Sequence, residues 1–147
     1  GEFNNGIQDG KGTFTYANGD KYIGDYKNGL YHGKGKAIFV DGEIYDGEYE
    51  NDLPHGKGTQ IFVSGDKYIG EFVDGSRTGK GTLTTLSGLR YVGKFLNDMQ
   101  TKGTLYFPNG DKYVGEFVDG NFHGKGTITL RNGERIKGKW INGNLVN

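Results

Sequence analysis

The 147-residue sequence has no cysteine, only two prolines and no net charge. Without cysteine, disulfides, thiolate zinc sites and thiol catalysis are excluded. The balance of 18 basic and 18 acidic side chains excludes a global basic field of the kind that draws proteins to nucleic acid. No apolar run approaches the roughly 18 residues of a membrane-spanning helix, and no signal peptide is recognisable. These absences favour a soluble intracellular protein without a nucleic-acid partner.

Glycine and aromatic residues are abundant instead. The chain contains 29 glycines and 14% aromatic residues, whereas glycine ordinarily accounts for about 7% of a protein. Glycine does not occupy every third position, which excludes collagen, and the regular spacing of the aromatic residues argues against disorder. The apolar positions are largely aromatic or β-branched, which favours strands.

A Tyr-x-Gly-x-aromatic motif recurs along the chain at intervals of 23, 23, 23 and 22 residues. Periods of this length indicate stacked supersecondary units rather than a globular core. We therefore expect function on an extended surface and not in a central catalytic pocket. With the tyrosine of each repeat taken as position 1, the complete motifs begin at Tyr22, Tyr45, Tyr68, Tyr91 and Tyr113.

Within each repeat, apolar residues alternate with a period of two over positions 1–6 and 13–19, which predicts two short strands. Asn-Gly, Asp-Gly or Asn-Asp at positions 7 and 8 marks the start of the first turn, because positive φ angles cost little for glycine and are tolerated by asparagine and aspartate. Pro108-Asn109-Gly110 predicts a three-residue loop, with proline and asparagine in a type I turn and glycine in the left-handed region. The predicted fold is therefore all-β, an elongated single stack of antiparallel hairpins forming a twisted, solenoid-like rod over residues 1–147.

Glycine recurs at positions 3 and 14, between the aromatic residues. A bare glycine weakens a strand unless a large ring packs over it. We therefore favour a structural role for most of the rings and glycines over direct contact with a ligand.

Residues 113–127, Tyr-Val-Gly-Glu-Phe-Val-Asp-Gly-Asn-Phe-His-Gly-Lys-Gly-Thr, closely resemble a MORN (membrane occupation and recognition nexus) repeat. The resemblance implies an array of antiparallel β-hairpins that is not itself catalytic and that serves protein–protein scaffolding or phospholipid contact. It also implies a cytoplasmic protein, either free or associated with the cytoskeleton or a membrane. The near-complete repeats are 22–44, 45–67, 68–90, 91–112 and 113–135, with part-repeats at 1–21 and 136–147.

Several residues depart from this pattern. Asp52 and Asp98 replace the glycine of position 8, and Thr78 replaces the histidine of position 11. Ile136 replaces the tyrosine of position 1, and the repeat 91–112 is one residue short. We therefore expect irregular stacking, or a specialised partner patch, between residues 76 and 103.

The polar residues give no catalytic constellation. His32, His55 and His123 all occupy position 11, where stacking would separate them by about 10 Å, too far for a shared zinc ion. We interpret them as loop histidines that bond to the turn backbone. Gly-Lys-Gly-Thr lacks the residue order and the following helix of a phosphate-binding loop. No nucleophile, base and orienting group can be assigned, so we predict no enzyme, no metal and no cofactor.

The favoured function is binding of a peptide or helix from a partner protein along an aromatic-lined face, since rigid aromatic side chains are good anchors. The predicted anchors are the exposed parts of Tyr22, Tyr45, Tyr49, Tyr68, Phe72, Tyr91, Phe95, Tyr113 and Phe117.

A lysine at position 13 of every repeat defines a lysine stripe. The stripe predicts either capture of anionic lipid head groups or a solvated row paired with the acids of positions 4 and 22. We favour the second reading because the acids are equally periodic. Two further hypotheses are a regulatory arm of an enzyme whose catalytic domain lies outside these residues, and end-to-end self-association through uncapped strands. The lysine stripe comprises Lys11, Lys34, Lys57, Lys80, Lys102 and Lys125.

Overall fold

The computed structural model describes residues 3–4 and 6–146. These residues form β-strands and turns, with no helix among them. The strands are β1 (Phe3–Asn4), β2 (Ile7–Gln8), β3 (Gly10–Thr15), β4 (Lys21–Lys27), β5 (Leu30–Ile38), β6 (Ile44–Glu50), β7 (Leu53–Ile61), β8 (Lys67–Val73), β9 (Ser76–Thr84), β10 (Arg90–Leu96), β11 (Met99–Tyr106), β12 (Lys112–Val118), β13 (Asn121–Thr129), β14 (Arg135–Ile141) and β15 (Asn144–Leu145).

From β3 onward, the strands follow one another in chain order in an open antiparallel sheet, which confirms the predicted all-β class. β1 and β2 form a separate short hairpin. The chain divides into two compact units, residues 1–76 and residues 77–147. Residues 1, 2, 5 and 147 of the predicted array lie outside the described residues.

The first turn of each repeat is tighter than the sequence pattern predicts. Lys27 pairs directly with Leu30, and the two residues between them have positive φ angles, 52° at Asn28 and 80° at Gly29. This is the conformation that Asn-Gly favours in two-residue hairpin turns. Consequently the second strand begins at position 9, and the predicted start at position 13 is wrong. Positions 9–12, which lie outside the predicted strands, are therefore strand, and the strand is interrupted by a bulge opposite Asp25.

The second turn matches its prediction. The N–H of Gly110 donates to the carbonyl of Phe107 at 3.1 Å, and the N–H of Phe107 donates to the carbonyl of Asp111 at 2.9 Å. Gly110 has a φ angle of 99°. The three-residue loop of Pro108, Asn109 and Gly110 is therefore confirmed.

One face of the sheet carries the core. The hydroxyl of Tyr22 donates to the carbonyl of Asp25 at 2.7 Å, and a side chain at Gly24 or Gly35 would collide with the Tyr22 phenol. The same tyrosine-to-carbonyl bond recurs at Tyr45, Tyr68, Tyr91 and Tyr113. The prediction that rings pack over the strand glycines is confirmed.

The rings also contact one another along the repeats. Tyr45 meets Tyr49 of its own repeat edge to face at 5.0 Å between centroids, and Phe72 of the next repeat at 5.1 Å. Tyr113 meets Phe117 at 5.1 Å and Trp140 at 5.8 Å. Within the two units, the rings of Tyr22, Tyr45, Tyr91 and Tyr113 therefore each join two repeats, which is how a short hairpin gains burial that it lacks alone.

The irregularity predicted near residues 76–103 is small. Other repeats have a register shift between positions 3 and 5, and in the short repeat the shift between β10 and β11 falls one residue later, between Lys94 and Phe95. Thr78 accepts a bond from the N–H of Asn97 through Oγ1 at 3.1 Å. His55 does the same for the N–H of Asp74 through Nδ1 at 3.2 Å. Thr78 thus accepts the same kind of bond from the turn backbone as His55 does one repeat earlier.

Candidate interaction surfaces

The nine predicted anchor rings are all buried, with relative exposures from 0% to 6%. They form the core of the sheet face and present almost no area to a partner. A partner that approaches this face must therefore contact the residues beside these rings. The nine are Tyr22, Tyr45, Tyr49, Tyr68, Phe72, Tyr91, Phe95, Tyr113 and Phe117.

The first unit has a cavity of about 610 Å³ on the aromatic face, which we call the aromatic cavity. Four of the predicted anchors line it as buried residues: Tyr22, Tyr45, Tyr49 and Phe72. More accessible residues that also line it are Tyr16, Tyr31, Phe39 and Pro54.

Tyr31 connects the buried and the accessible parts of the aromatic cavity. Its ring stacks on Tyr22 with centroids 3.7 Å apart and meets Tyr49 edge to face at 5.7 Å. Its hydroxyl is hydrogen-bonded to the hydroxyl of Tyr16. Burial raises the pKa of Tyr31, and the bond to Tyr16 and the charge of Asp52 raise it further. The phenol therefore stays neutral.

The charged residues that line the aromatic cavity are three acids, Asp20, Glu43 and Asp52, and one base, Lys21. Oδ1 of Asp52 accepts a bond from the N–H of Tyr31 at 2.8 Å. Glu43 accepts from the side-chain amide of Gln60 at 2.7 Å. The lining is thus acidic as well as aromatic.

Sequence reasoning missed Tyr31 because position 10 does not repeat: the later repeats have proline, arginine, glutamine and phenylalanine there. Asp52 was noticed only as a departure from glycine at position 8. That departure was the available signal, since a carboxylate in place of glycine adds charge beside the rings.

The lysine stripe lies on the other face of the sheet, because position 13 alternates with position 14. All six lysines are exposed. The backbone register places Lys34 opposite Glu48 and Lys57 opposite Glu71. Nζ of Lys11 lies 4.0 Å from Asp25.

The acids of position 4 have a backbone role. Glu116 accepts a bond from the N–H of Lys125 at 2.6 Å, and Asp25 accepts from the N–H of Lys34 at 3.2 Å. These carboxylates satisfy a strand N–H left open by the bulge. The predicted pairing of acids with the stripe therefore involves the lysine backbone as well as the ammonium groups.

The row of acidic residues at position 4 is interrupted in the second unit. Lys94 takes the acidic position 4 and lies opposite Lys80 on one side and Lys102 on the other. We call Lys80, Lys94 and Lys102 the lysine cluster. Like charges that face each other across strands destabilise a sheet, so this arrangement concentrates positive charge at a cost in stability.

The histidines lie on strands and not in loops. His55 accepts from the turn N–H of Asp74, as predicted for this residue. Its Nε2 lies 3.4 Å from Glu50. In the described part of the chain, Nδ1 of His32 and Nδ1 of His123 are buried without a hydrogen-bond partner.

Comparison with known families gives one clear match. The MORN repeat model matches residues 1–21, 22–44, 45–67, 68–90, 91–112 and 113–135. MORN repeats are non-catalytic modules that generally contact membranes or other proteins, and the latter include proteins of the cytoskeleton. Within residues 3–4 and 6–146, no helix has the length and apolarity needed to cross a membrane.

Similarity to solved structures is weak. The TCP domain of SAS-4 (dCPAP) from Drosophila melanogaster, in complex with a proline-rich motif of Ana2 (dSTIL), is 16% identical with a TM-score of 0.42, over 86% of this chain and 82% of that domain. Virginiamycin B lyase from Staphylococcus aureus, with quinupristin, is 18% identical with a TM-score of 0.22, over 95% of this chain and 44% of the enzyme. The search of curated proteins found no match. Likenesses this remote say nothing about function.

Proposed function

Because the chain belongs to the MORN repeat family, we propose that it is a non-catalytic scaffold that binds a peptide or helix of a partner protein along its aromatic face. The aromatic cavity of the first unit carries this proposal. Ligand sites are concave and largely apolar, with a few polar groups that fix orientation, and the aromatic cavity has these features. The walls at Tyr16 and Phe39 are 44% and 39% exposed, so a partner gains apolar burial there.

The floor of the aromatic cavity is rigid. Tyr22 and Tyr45 are held by bonds from their hydroxyls to backbone carbonyls and by contact with strand glycines. A surface that is already ordered loses little side-chain entropy on binding. The four buried rings that line the aromatic cavity thus act as support, and the accessible rings beside them act as anchors.

The test uses Phe39→Asp in the whole chain. Peptides selected from a displayed random library on the unmodified chain should bind this variant at least about ten-fold more weakly, because a charge replaces an apolar wall. Val40→Asp is the matched control, since Val40 is 69% exposed and does not line the aromatic cavity. Circular dichroism verifies that both variants fold. Equal binding by the chain and by Phe39→Asp would contradict the proposal.

A second candidate function is contact with an anionic membrane surface through the lysine stripe. The lysine cluster favours it, because three lysines are gathered where the repeats before it pair lysine with an acid, and Lys125 faces Lys139 in the same way near the last strand. Each lysine near an anionic surface contributes about 1 kcal/mol. Either function suits a cytoplasmic protein beside a membrane or cytoskeletal partner.

Co-sedimentation with phosphatidylserine vesicles tests this second function. Binding should decrease with added salt and with Lys94→Glu, but much less with Lys36→Glu, an exposed lysine outside the stripe. Absence of sedimentation at low salt, or equal losses in the two variants, would exclude the lysine cluster as a membrane contact.

A further inference from the structure

The second unit contains a basic side chain held by an acid and a ring. The N–H of Arg77 donates to Oδ1 of Asp98 at 2.8 Å, and its Nε donates to the same oxygen at 3.2 Å. Its Nη2 donates to the backbone carbonyl of Asp98 at 3.2 Å. The guanidinium carbon lies 5.7 Å from the centroid of Phe95. The Arg77 side chain is only 18% exposed. Asp98 at position 8 and the ring of Phe95 at position 5 thus form a site that holds the guanidinium of Arg77, the residue at position 10.

The first unit has the same backbone arrangement without the guanidinium. Asp52 and Tyr31 occupy positions 8 and 10, as Asp98 and Arg77 do. The N–H of Tyr31 donates to Oδ1 of Asp52 at 2.8 Å, and the N–H of Asp52 donates to the carbonyl of Tyr31 at 2.9 Å. The corresponding bonds in the second unit measure 2.8 and 2.9 Å.

What differs is the group at position 10. Tyr31 supplies a ring where Arg77 supplies a charge, and that ring meets Tyr49 at 5.7 Å. Of the two carboxylate oxygens of Asp52, only Oδ1 accepts a hydrogen bond from the described residues. No lysine, arginine or histidine nitrogen of these residues lies within 4.0 Å of the carboxylate. Asp52 therefore brings an unmatched negative charge to the edge of the aromatic cavity.

We infer that the aromatic cavity binds a basic side chain of the partner segment, arginine in preference to lysine, with Asp52 as its counter-ion. This inference rests on the proposed function and specifies the partner. The partner segment carries one basic residue next to apolar residues. The guanidinium of the partner binds Asp52 in the way that the guanidinium of Arg77, a residue of this chain, binds Asp98 in the second unit.

The physical chemistry of the aromatic cavity supports a cation. Aromatic faces attract cations, more strongly as water is removed, and a planar guanidinium both stacks on rings and binds a carboxylate through paired N–H groups. Asp20 and Glu43 add negative charge to the lining, against Lys21 alone. The tyrosine hydroxyls do not compete for the cation as anions, because burial and the charge of Asp52 raise the pKa of Tyr22 and Tyr31.

The decisive experiment compares peptide selections on the whole chain and on Asp52→Asn. Asparagine tolerates the φ angle of 72° at this position, and its oxygen can still accept the bond from the N–H of Tyr31. Asp119→Asn is the matched control, an exposed acid of the second unit with a φ angle of 51°. A phage-displayed library of random peptides is selected on each protein.

Peptides selected on the chain and on Asp119→Asn should share a basic residue at one position, arginine more often than lysine, and those selected on Asp52→Asn should not. Replacing that arginine by neutral citrulline should weaken binding to the chain at least about ten-fold, the order expected for a charged hydrogen bond. Selected peptides without a basic preference, or with the same preference on Asp52→Asn, would overturn the inference and leave the proposed function standing. No selected peptide at all would contradict both.

Tyr31→Arg provides a second test. It places an arginine beside Asp52 as in the second unit, so the chain's own guanidinium should occupy the site and displace arginine peptides. Tyr31→Phe keeps the ring that stacks on Tyr22 and should retain binding. Near-ultraviolet circular dichroism verifies packing in both. Undiminished binding by a folded Tyr31→Arg variant would contradict the inference.

Discussion

The ring of Tyr22 on β4 lies so close to Gly35 on β5 that a methyl group at residue 35 would overlap the ring. Gly35→Ala should therefore destabilise the first unit by about 1–3 kcal/mol, the usual effect of overpacking. Urea unfolding measures the change. Lys36→Ala is the control, because Lys36 is exposed on the opposite face, and its effect should be small. Equal stability of Gly35→Ala and the unmodified chain would show that the ring can move away.

The contact between Tyr22 and Gly35 was predictable because both residues recur with the repeat. A position that returns five times shows its role through its alternation with neighbours. The beginning of the second strand was not predictable in the same way. Residues 30–33 precede the segment with period-two alternation, and only the paired backbone shows them as strand, with a bulge opposite Asp25.

The buried rings that form the floor of the aromatic cavity were predictable from the sequence, and the more accessible residues that form its walls were not. Tyr22 and Tyr45 belong to the repeating motif, whereas Tyr31 and Asp52 are single departures from it. Periodicity reports what the repeats share, which is the fold. Under the proposed function, the residues that distinguish one repeat from another determine which partner binds, and their role depends on neighbours that are distant in sequence.

The bond from the N–H of Lys125 to Glu116 gives a second prediction. Glu116→Ala should lower the free energy of unfolding by about 1 kcal/mol, since a strand N–H loses its acceptor. Glu116→Gln keeps an acceptor oxygen and should restore most of this loss. Denaturant unfolding of both variants, with the exposed Glu134→Ala as control, measures the difference. Equal losses in the alanine and glutamine variants would mean that charge matters and the hydrogen bond does not.

The third prediction concerns alkaline pH. Burial raises the pKa of Tyr91 from 10.0 to about 12, and burial likewise raises the pKa of Tyr45 and Tyr49. Above pH 10 the unfolded chain loses tyrosine protons that the folded chain retains. The stabilisation is therefore complete below about pH 10 and is lost as the pH rises towards about 12.

Urea unfolding at a series of pH values, together with tyrosinate absorbance, tests this prediction. The urea midpoint should fall above about pH 10, and the buried tyrosines should ionise in the same pH range as the chain unfolds. Ionisation of all tyrosines near their ordinary pKa in a chain that remains folded would contradict it.

Lys94→Glu separates stability from membrane contact. Lys94 lies between Lys80 and Lys102. Like charges that face each other across strands destabilise a sheet, whereas opposite charges contribute about 0.2–1 kcal/mol per pair. A glutamate there should raise the free energy of unfolding by that order, measured in urea at low salt, and the gain should shrink as salt screens the charges. The same variant should sediment less with phosphatidylserine vesicles.

If Lys94→Glu is more stable and still binds vesicles fully, the repulsion is real but the lysine cluster is not a membrane contact. If its stability is unchanged at low salt, the three ammonium groups are too well solvated to repel each other.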